Sequence, residues 1–403
     1  MSAKSNRYAP ETAAVRAFVD PEVGTQAISP SMVMSVNHCF DPQQGAFSAQ
    51  GLEDLSEAPY LYAGWSNPTV DQLEQRLAHL EGAQACLTTA TGMAAIAGLF
   101  LSLLKQGDHL IISDVCYAGV YEFATQVLPD YGITVTAVDT SDMTQVLGAV
   151  RKNTKLVHIE TPSNPLLTLT DIKALASELK KSDTLLSVDA TFSTPVITKP
   201  LALGADFVVH SLTKFINGHG DVLGGAILGS KSHLNQVRAR AGVYLGATLS
   251  AQSAWLIMRG METLYPRMKT LCSSALSLAT WLEHHPRVKR VLYPGLASHH
   301  QFALAQQQMT LFGGIIAFQV DDIDLIQQRF VNESHVFYYA FSIGHQRSLA
   351  VAMKTDELDQ STYHFTEEKR AAFRAFAGDG VIRLSIGLEA TEDLQRELEH
   401  LLR

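Results

Sequence analysis

Between positions 85 and 228 short apolar runs alternate with stretches of helical spacing, and this alternation restricts the possible folds more than any other feature of the chain. The apolar runs fall at 85–89, 109–112, 134–138, 156–160, 185–189, 207–210 and 225–228. Apolar residues at helical spacing predict helices over 70–80, from Thr91-Gly92-Met93 to Lys105, over 120–128 and over 171–180, with Gly82 and Gly107 ending the first two. Strands that alternate with helices bury both faces of a sheet. The expected fold is therefore α/β: a mostly parallel, doubly wound sheet with helices on both faces.

Outside this stretch the pattern changes. Residues 1–66 carry Pro10, Pro21, Pro30, Pro42 and Pro59 with little sustained periodicity, which predicts an extended arm lying on another domain or subunit. Residues 67–261 form the large domain, and 262–403 read as a smaller α/β domain with a long helix at 268–283 and strands near 314–318 and 382–386. A chain of 403 residues is long enough for two cores.

Composition narrows the function. A formal charge of −9 and the absence of a Lys/Arg run argue against nucleic acid or an anionic membrane and leave small molecules as partners. The four cysteines, Cys39, Cys86, Cys116 and Cys272, lack C-x-x-C spacing, so neither a disulfide frame nor a metal site is expected. The polar N-terminus has no apolar signal core and no apolar run is long enough to span a bilayer, which predicts a cytoplasmic protein.

In open α/β sheets ligands collect at the carboxyl ends of the strands, and the notable polar residues lie there. Asp189 ends one predicted strand, Asn164 follows another, and Ser211, Thr213 and Lys214 follow a third. Thr91-Gly92-Met93 opens a helix, whose unpaired N–H groups attract an anion such as phosphate. One lysine, one carboxylate and one phosphate cradle suit pyridoxal 5′-phosphate: Lys214 to hold its aldehyde as an imine and shuttle protons, Asp189 to keep its pyridine nitrogen protonated. Ser211, Thr213 and the N–H groups of Gly92 and Met93 would hold the phosphate, and Tyr117 could lie over the ring. Taken singly each residue has a plainer role, such as a surface lysine, a turn aspartate, a packing tyrosine or, for Arg383, a surface charge on a strand.

Six segments in this order make the chain resemble the pyridoxal-phosphate enzymes of cysteine and methionine metabolism. They are 62–69, Thr91-Gly92-Met93-Ala94-Ala95, Glu160-Thr161-Pro162-Ser163-Asn164-Pro165, Val188-Asp189-Ala190-Thr191, 210–221 and 382–389. The resemblance implies a type I, aminotransferase-like fold and a homotetramer built as a dimer of dimers, with active sites shared between subunits. It further implies that Lys214 is the Schiff-base lysine, Asp189 the pyridine partner and Tyr117 the stacking, catalytic tyrosine, with Thr191 in the cofactor site. Gly92, Met93, Ser211 and Thr213 match phosphate ligands, and Tyr62 reaches the phosphate and substrate of the neighbouring subunit. Arg383 matches the residue that grips the substrate α-carboxylate, with Asn164 and Ser342 beside it.

Several positions depart from the family pattern. Gly64 stands where the arm usually has an arginine, and Arg347 where relatives carry an acid. Phe341 replaces the glutamate found in cystathionine γ-lyase-like members, which favours a substrate with a small or apolar tail; Gly119 replaces the cysteine of methionine γ-lyase-like members. The expected activity is a carbon–sulfur lyase acting on a cystathionine- or methionine-like amino acid by α,β- or α,γ-elimination. The alternatives are γ-replacement of an activated homoserine and, because of Gly64 alone, a weakly catalytic binding paralogue.

Overall fold

In a computed structural model the described residues are 9–17, 26–41, 43, 48–49, 55–56 and 58–403. Expectations for residues 1–8, and for Pro21 and Pro42 in the arm, lie outside them. The first sheet contains β1 (Ala85–Thr89), β2 (His109–Ser113), β3 (Thr134–Val138), β4 (Thr154–Glu160), β5 (Leu185–Asp189), β6 (Phe207–Ser211) and β7 (Gly225–Gly229), in the spatial order β1-β7-β6-β5-β4-β2-β3. Strands β2 to β6 run parallel.

Alternate residues of these strands enter two different cores, as a side-chain period of two requires. Ile111, Val157, Val188 and Val208 face one core, while Leu110, Leu156, Phe207 and Val209 face the other. The first core is covered by the helices Pro68–Glu81, Ile172–Leu179 and Ala251–Met261, and the second by Gly92–Leu103 and Lys231–Val237. Both faces of the sheet are therefore covered, which explains why its strands read as nearly continuous apolar runs.

The sheet is mostly parallel, as expected, with one exception. β7 is antiparallel to both of its neighbours, β1 and β6. The segment between β6 and β7 turns repeatedly and contains no helix, so it cannot make the crossover that parallel strands need. That segment carries Lys214.

The second sheet contains β8 (Val288–Leu292), β9 (Ile315–Val320), β10 (Tyr338–Tyr339), β11 (Leu349–Lys354) and β12 (Gly380–Ser385), in the order β10-β11-β12-β9-β8. Its own core lies under the long helix Leu264–Glu283 and the C-terminal helix Thr391–Leu401. The arm also differs from the expectation of continuous extended chain. Residues Pro10–Arg16 form a helix with Pro10 in its first turn, where a missing N–H costs nothing. Its Ala13 and Ala14 are buried, and its Glu11 pairs with Lys269 at 2.8 Å. A helix this short depends on that packing, so periodicity could not reveal it.

Candidate active site

Strands β1, β2, β4, β5 and β6 deliver their last residues to one edge of the first sheet. Asp189 ends β5, and its Oδ1 accepts the Thr191 N–H at 2.9 Å. Thr191 Oγ1 in turn accepts the N–H of Ser211, the last residue of β6, at 2.8 Å. After β1, Thr91 caps the helix Gly92–Leu103 by accepting the Ala94 N–H at 3.0 Å. The N–H groups of Gly92 and Met93 sit in the first turn, where no intrahelical carbonyl is available. A Cβ on Gly92 would lie 2.9 Å from the Ser211 Cβ and 3.0 Å from its hydroxyl, so only glycine lets this helix start so close to β6. Thr213 Oγ1 accepts the Gly224 N–H at 3.0 Å and closes the loop that presents Lys214.

The second sheet supplies the opposite wall. Arg383 in the middle of β12 is buried, which overturns the plainer reading of a surface charge. Its Nη1 donates to Asn164 Oδ1 at 2.6 Å and its Nη2 to the Ser342 carbonyl at 3.1 Å, while its buried Nε has no partner among the described residues. Ser342 has φ of 96°, a strained conformation for a residue with a side chain, and its hydroxyl accepts from Lys214 Nζ at 2.7 Å. Between the walls lies a cleft of about 770 Å³. Gly92, Met93, Tyr117, Asn164, Asp189, Thr191, Ser211, Thr213, Lys214, Ser342 and Arg383 all line it. Tyr62 does not: it lies in the arm, 53% exposed and bridged to Asn37.

Burial sets the electrostatics of the cleft. It lowers the pKa of Lys214, and the neighbouring Arg383 charge lowers it further. The Arg383 guanidinium is itself pushed down to about 10 by burial, with partial compensation from Glu160. Asp189 is raised by burial, against the hydrogen bonds from Thr191. A cationic partner reaching that carboxylate would restore its charged form.

Two contributors escaped the sequence reading. Glu160, the last residue of β4, accepts the N–H groups of Tyr117 at 2.8 Å and Asn164 at 2.6 Å. Its buried carboxyl is raised to about 8, chiefly by desolvation and then by Asp189, which sits opposite it in the β4–β5 register. An acid at the carboxyl end of a buried strand was the available signal. The second contributor is the segment from Met353 to Tyr363, whose side chains form the wall beyond Tyr117. Nothing in its spacing announces this position.

Known proteins match this chain along nearly its whole length. A model of the Cys/Met metabolism PLP-dependent enzyme family matches residues 11–403. An L-methionine gamma-lyase of Porphyromonas gingivalis is 40% identical over 361 residues, covering 89% of this chain and 88% of the relative. A cystathionine beta-lyase of Lactococcus lactis subsp. cremoris is 38% identical over 363 residues, covering 89% and 92%. Among solved structures, a cystathionine gamma synthase from Xanthomonas oryzae pv. oryzae superposes with a TM-score of 0.88 at 36% identity, covering 98% of each chain.

Proposed function

Because the chain belongs to the Cys/Met metabolism PLP-dependent enzymes, we propose that it is a carbon–sulfur lyase that eliminates a thiol from a sulfur-containing amino acid. The products are a 2-oxo acid, ammonia and the thiol. The observation that carries this reading is the buried, incompletely paired guanidinium of Arg383 in the same cleft as an amine of lowered pKa, Lys214. The first suits an α-carboxylate and the second suits proton transfer at the adjacent carbon.

The residues present fit pyridoxal 5′-phosphate. The Gly92–Ser211 approach leaves a cradle that any Cβ would fill, and Asp189 presents a partly buried carboxylate whose one hydrogen-bonded neighbour among the described residues is Thr191. Gly92, Met93, Ser211 and Thr213 would hold the phosphate, Asp189 the pyridine nitrogen, and Lys214 the aldehyde carbon. When bound, the cofactor supplies a carbonyl for amines and an aromatic ring that accepts electrons.

Within that site Arg383 and Asn164 orient the substrate carboxylate. Lys214 removes the Cα proton and, for a γ-leaving group, a second proton at Cβ. Tyr117, which lines the cleft, protonates the departing sulfur. Phe341 and Leu223, 78% and 60% exposed, give the cleft apolar surface that suits a small or apolar tail. A Cβ at Gly119 would lie 2.8 Å from the Tyr117 ring, so a side chain there, such as the cysteine of methionine γ-lyase-like enzymes, requires that half-exposed ring to shift. The protein acts in the cytoplasm as a homotetramer in which Tyr62 of one subunit completes a neighbour's site. Its half-exposed ring at the surface of the single chain supports that role.

The similarity to a cystathionine gamma synthase favours a second reading, γ-replacement of an activated homoserine by a thiol. The two are separated by offering O-acylated homoserine with and without added thiol. A lyase releases a 2-oxo acid without the thiol, whereas a transferase waits for it. Either activity should exchange the substrate α-proton in D₂O, and a protein that only binds the amino acid should not.

The lowered Lys214 pKa has a direct consequence. Only the neutral amine captures the cofactor aldehyde, so capture by apo-protein should rise with pH around a midpoint below the ordinary lysine value of 10.5. Arg383→Gln removes the neighbouring positive charge and should move that midpoint upward. Stopped-flow absorbance at a series of pH values reads both. A parent midpoint at or above 10.5, or no shift in the variant, would count against the assignment.

A further inference from the structure

The cleft wall from the second sheet does more than enclose space. Tyr363 is buried, and its hydroxyl donates to the Cys116 carbonyl at 2.6 Å. The N–H on the other end of that same peptide group belongs to Tyr117 and donates to Glu160 Oε2 at 2.8 Å. One peptide plane is thus held at its oxygen by a residue after β11 and at its nitrogen by the last residue of β4. That plane is the one from which Tyr117 projects.

We infer that Tyr363 is a positioning residue, which together with Glu160 fixes the peptide before Tyr117 and thereby aims the Tyr117 ring into the cleft. The inference rests on the proposed placement of Tyr117 over the cofactor. Tyr117 needs outside support, since its ring is 51% exposed and it precedes the first turn of its helix, where it makes no side-chain cap hydrogen bond. Tyr363 is well placed to give it. Its ring stacks on Phe365 at 5.1 Å with an 8° interplanar angle and meets Tyr121 edge-on at 5.0 Å. The Tyr121 hydroxyl returns a hydrogen bond to the Tyr363 carbonyl at 3.0 Å. Each tyrosine therefore donates to the other's neighbourhood, and the Tyr117 helix is tied to the segment that follows β11. Two hydrogen bonds on one peptide remove its freedom to rotate, whereas either bond alone leaves a hinge.

The test uses holoenzyme carrying 3-fluorotyrosine at position 117, with the ¹⁹F resonance as a direct readout of ring placement. Tyr363→Phe deletes the hydroxyl and keeps the ring stack. It should shift or broaden that resonance and lower kcat by about 10- to 100-fold with little change in KM, as expected for misplacement of a reacting group. In a Tyr117→Ala background the same substitution should have no further effect on kcat, because it acts through Tyr117. An unchanged resonance with parental kcat, or full additivity in the double variant, overturns the inference. Should Tyr363→Phe not fold, Glu160→Gln weakens the grip from the other side and must move the same resonance; if it leaves the resonance in place, the grip is refuted. The cofactor reading of Tyr117 is judged separately: Tyr117→Ala should alter the visible circular dichroism of bound cofactor, and an unaltered spectrum refutes that placement without touching the ¹⁹F result.

Discussion

Lys214→Ala is expected to lower turnover by more than about 10³-fold, the scale of a lost general acid–base group combined with loss of covalent cofactor attachment. The visible absorption of the lysine-linked cofactor should disappear with it. The fold should survive, because Lys214 is only partly buried and its side chain makes one hydrogen bond among the described residues, to Ser342. A melting curve and far-ultraviolet circular dichroism close to the parent's would establish that the loss is chemical. A variant that kept near-parental turnover would remove Lys214 from the mechanism. The lysine depends on its setting, namely a helix-free loop between antiparallel β6 and β7, an adjacent guanidinium, and burial that favours the neutral amine.

Arg383→Ala should produce the second large effect, a fall in kcat/KM carried mainly by KM. Truncating one partner of a buried, charge-assisted contact costs about 2–5 kcal/mol, which corresponds to roughly 30- to 5,000-fold in affinity. Arg383 already spends two donors on Asn164 and the Ser342 carbonyl, and its Nε, without a partner among the described residues, remains for a ligand. Arg383→Lys should recover only part of the loss, because a point charge cannot satisfy several planar acceptors at once. Steady-state kinetics on the amino acid and on its decarboxylated amine make the test specific. The parent should strongly prefer the amino acid and the alanine variant should not. Equal use of both by the parent would show that Arg383 does not read the carboxylate.

Much of the cofactor side of this site was legible in the sequence because local chain direction determines it. Asp189 and Ser211 are the last residues of strands whose apolar runs are unmistakable, and Gly92 opens a helix that follows another. The substrate side was legible only through resemblance. Arg383 lies in a strand of the second sheet, and its contact with Asn164 spans 219 positions, so no local pattern distinguishes it from a surface arginine. The Tyr363–Cys116 contact spans 247 positions and lies in a stretch of short, irregular turns without periodicity. The direction of β7 was likewise hidden, since an apolar run looks the same whichever way it pairs. The helix Pro10–Arg16 is too short to show an apolar stripe and owes its stability to contacts with Pro68–Glu81 and Leu264–Glu283.

Elimination at a carbon–sulfur bond is tested by identifying its products. Purified holoenzyme is incubated separately with L-methionine and L-cystathionine, without added thiol, and the 2-oxo acid, ammonia and released thiol are identified by mass spectrometry and chemical assay. The expected result is a 2-oxo acid with stoichiometric ammonia and thiol from at least one of them: 2-oxobutyrate for γ-elimination, or pyruvate from cystathionine for β-elimination. Absence of any 2-oxo acid from both substrates, in an enzyme with its full complement of cofactor, would contradict it.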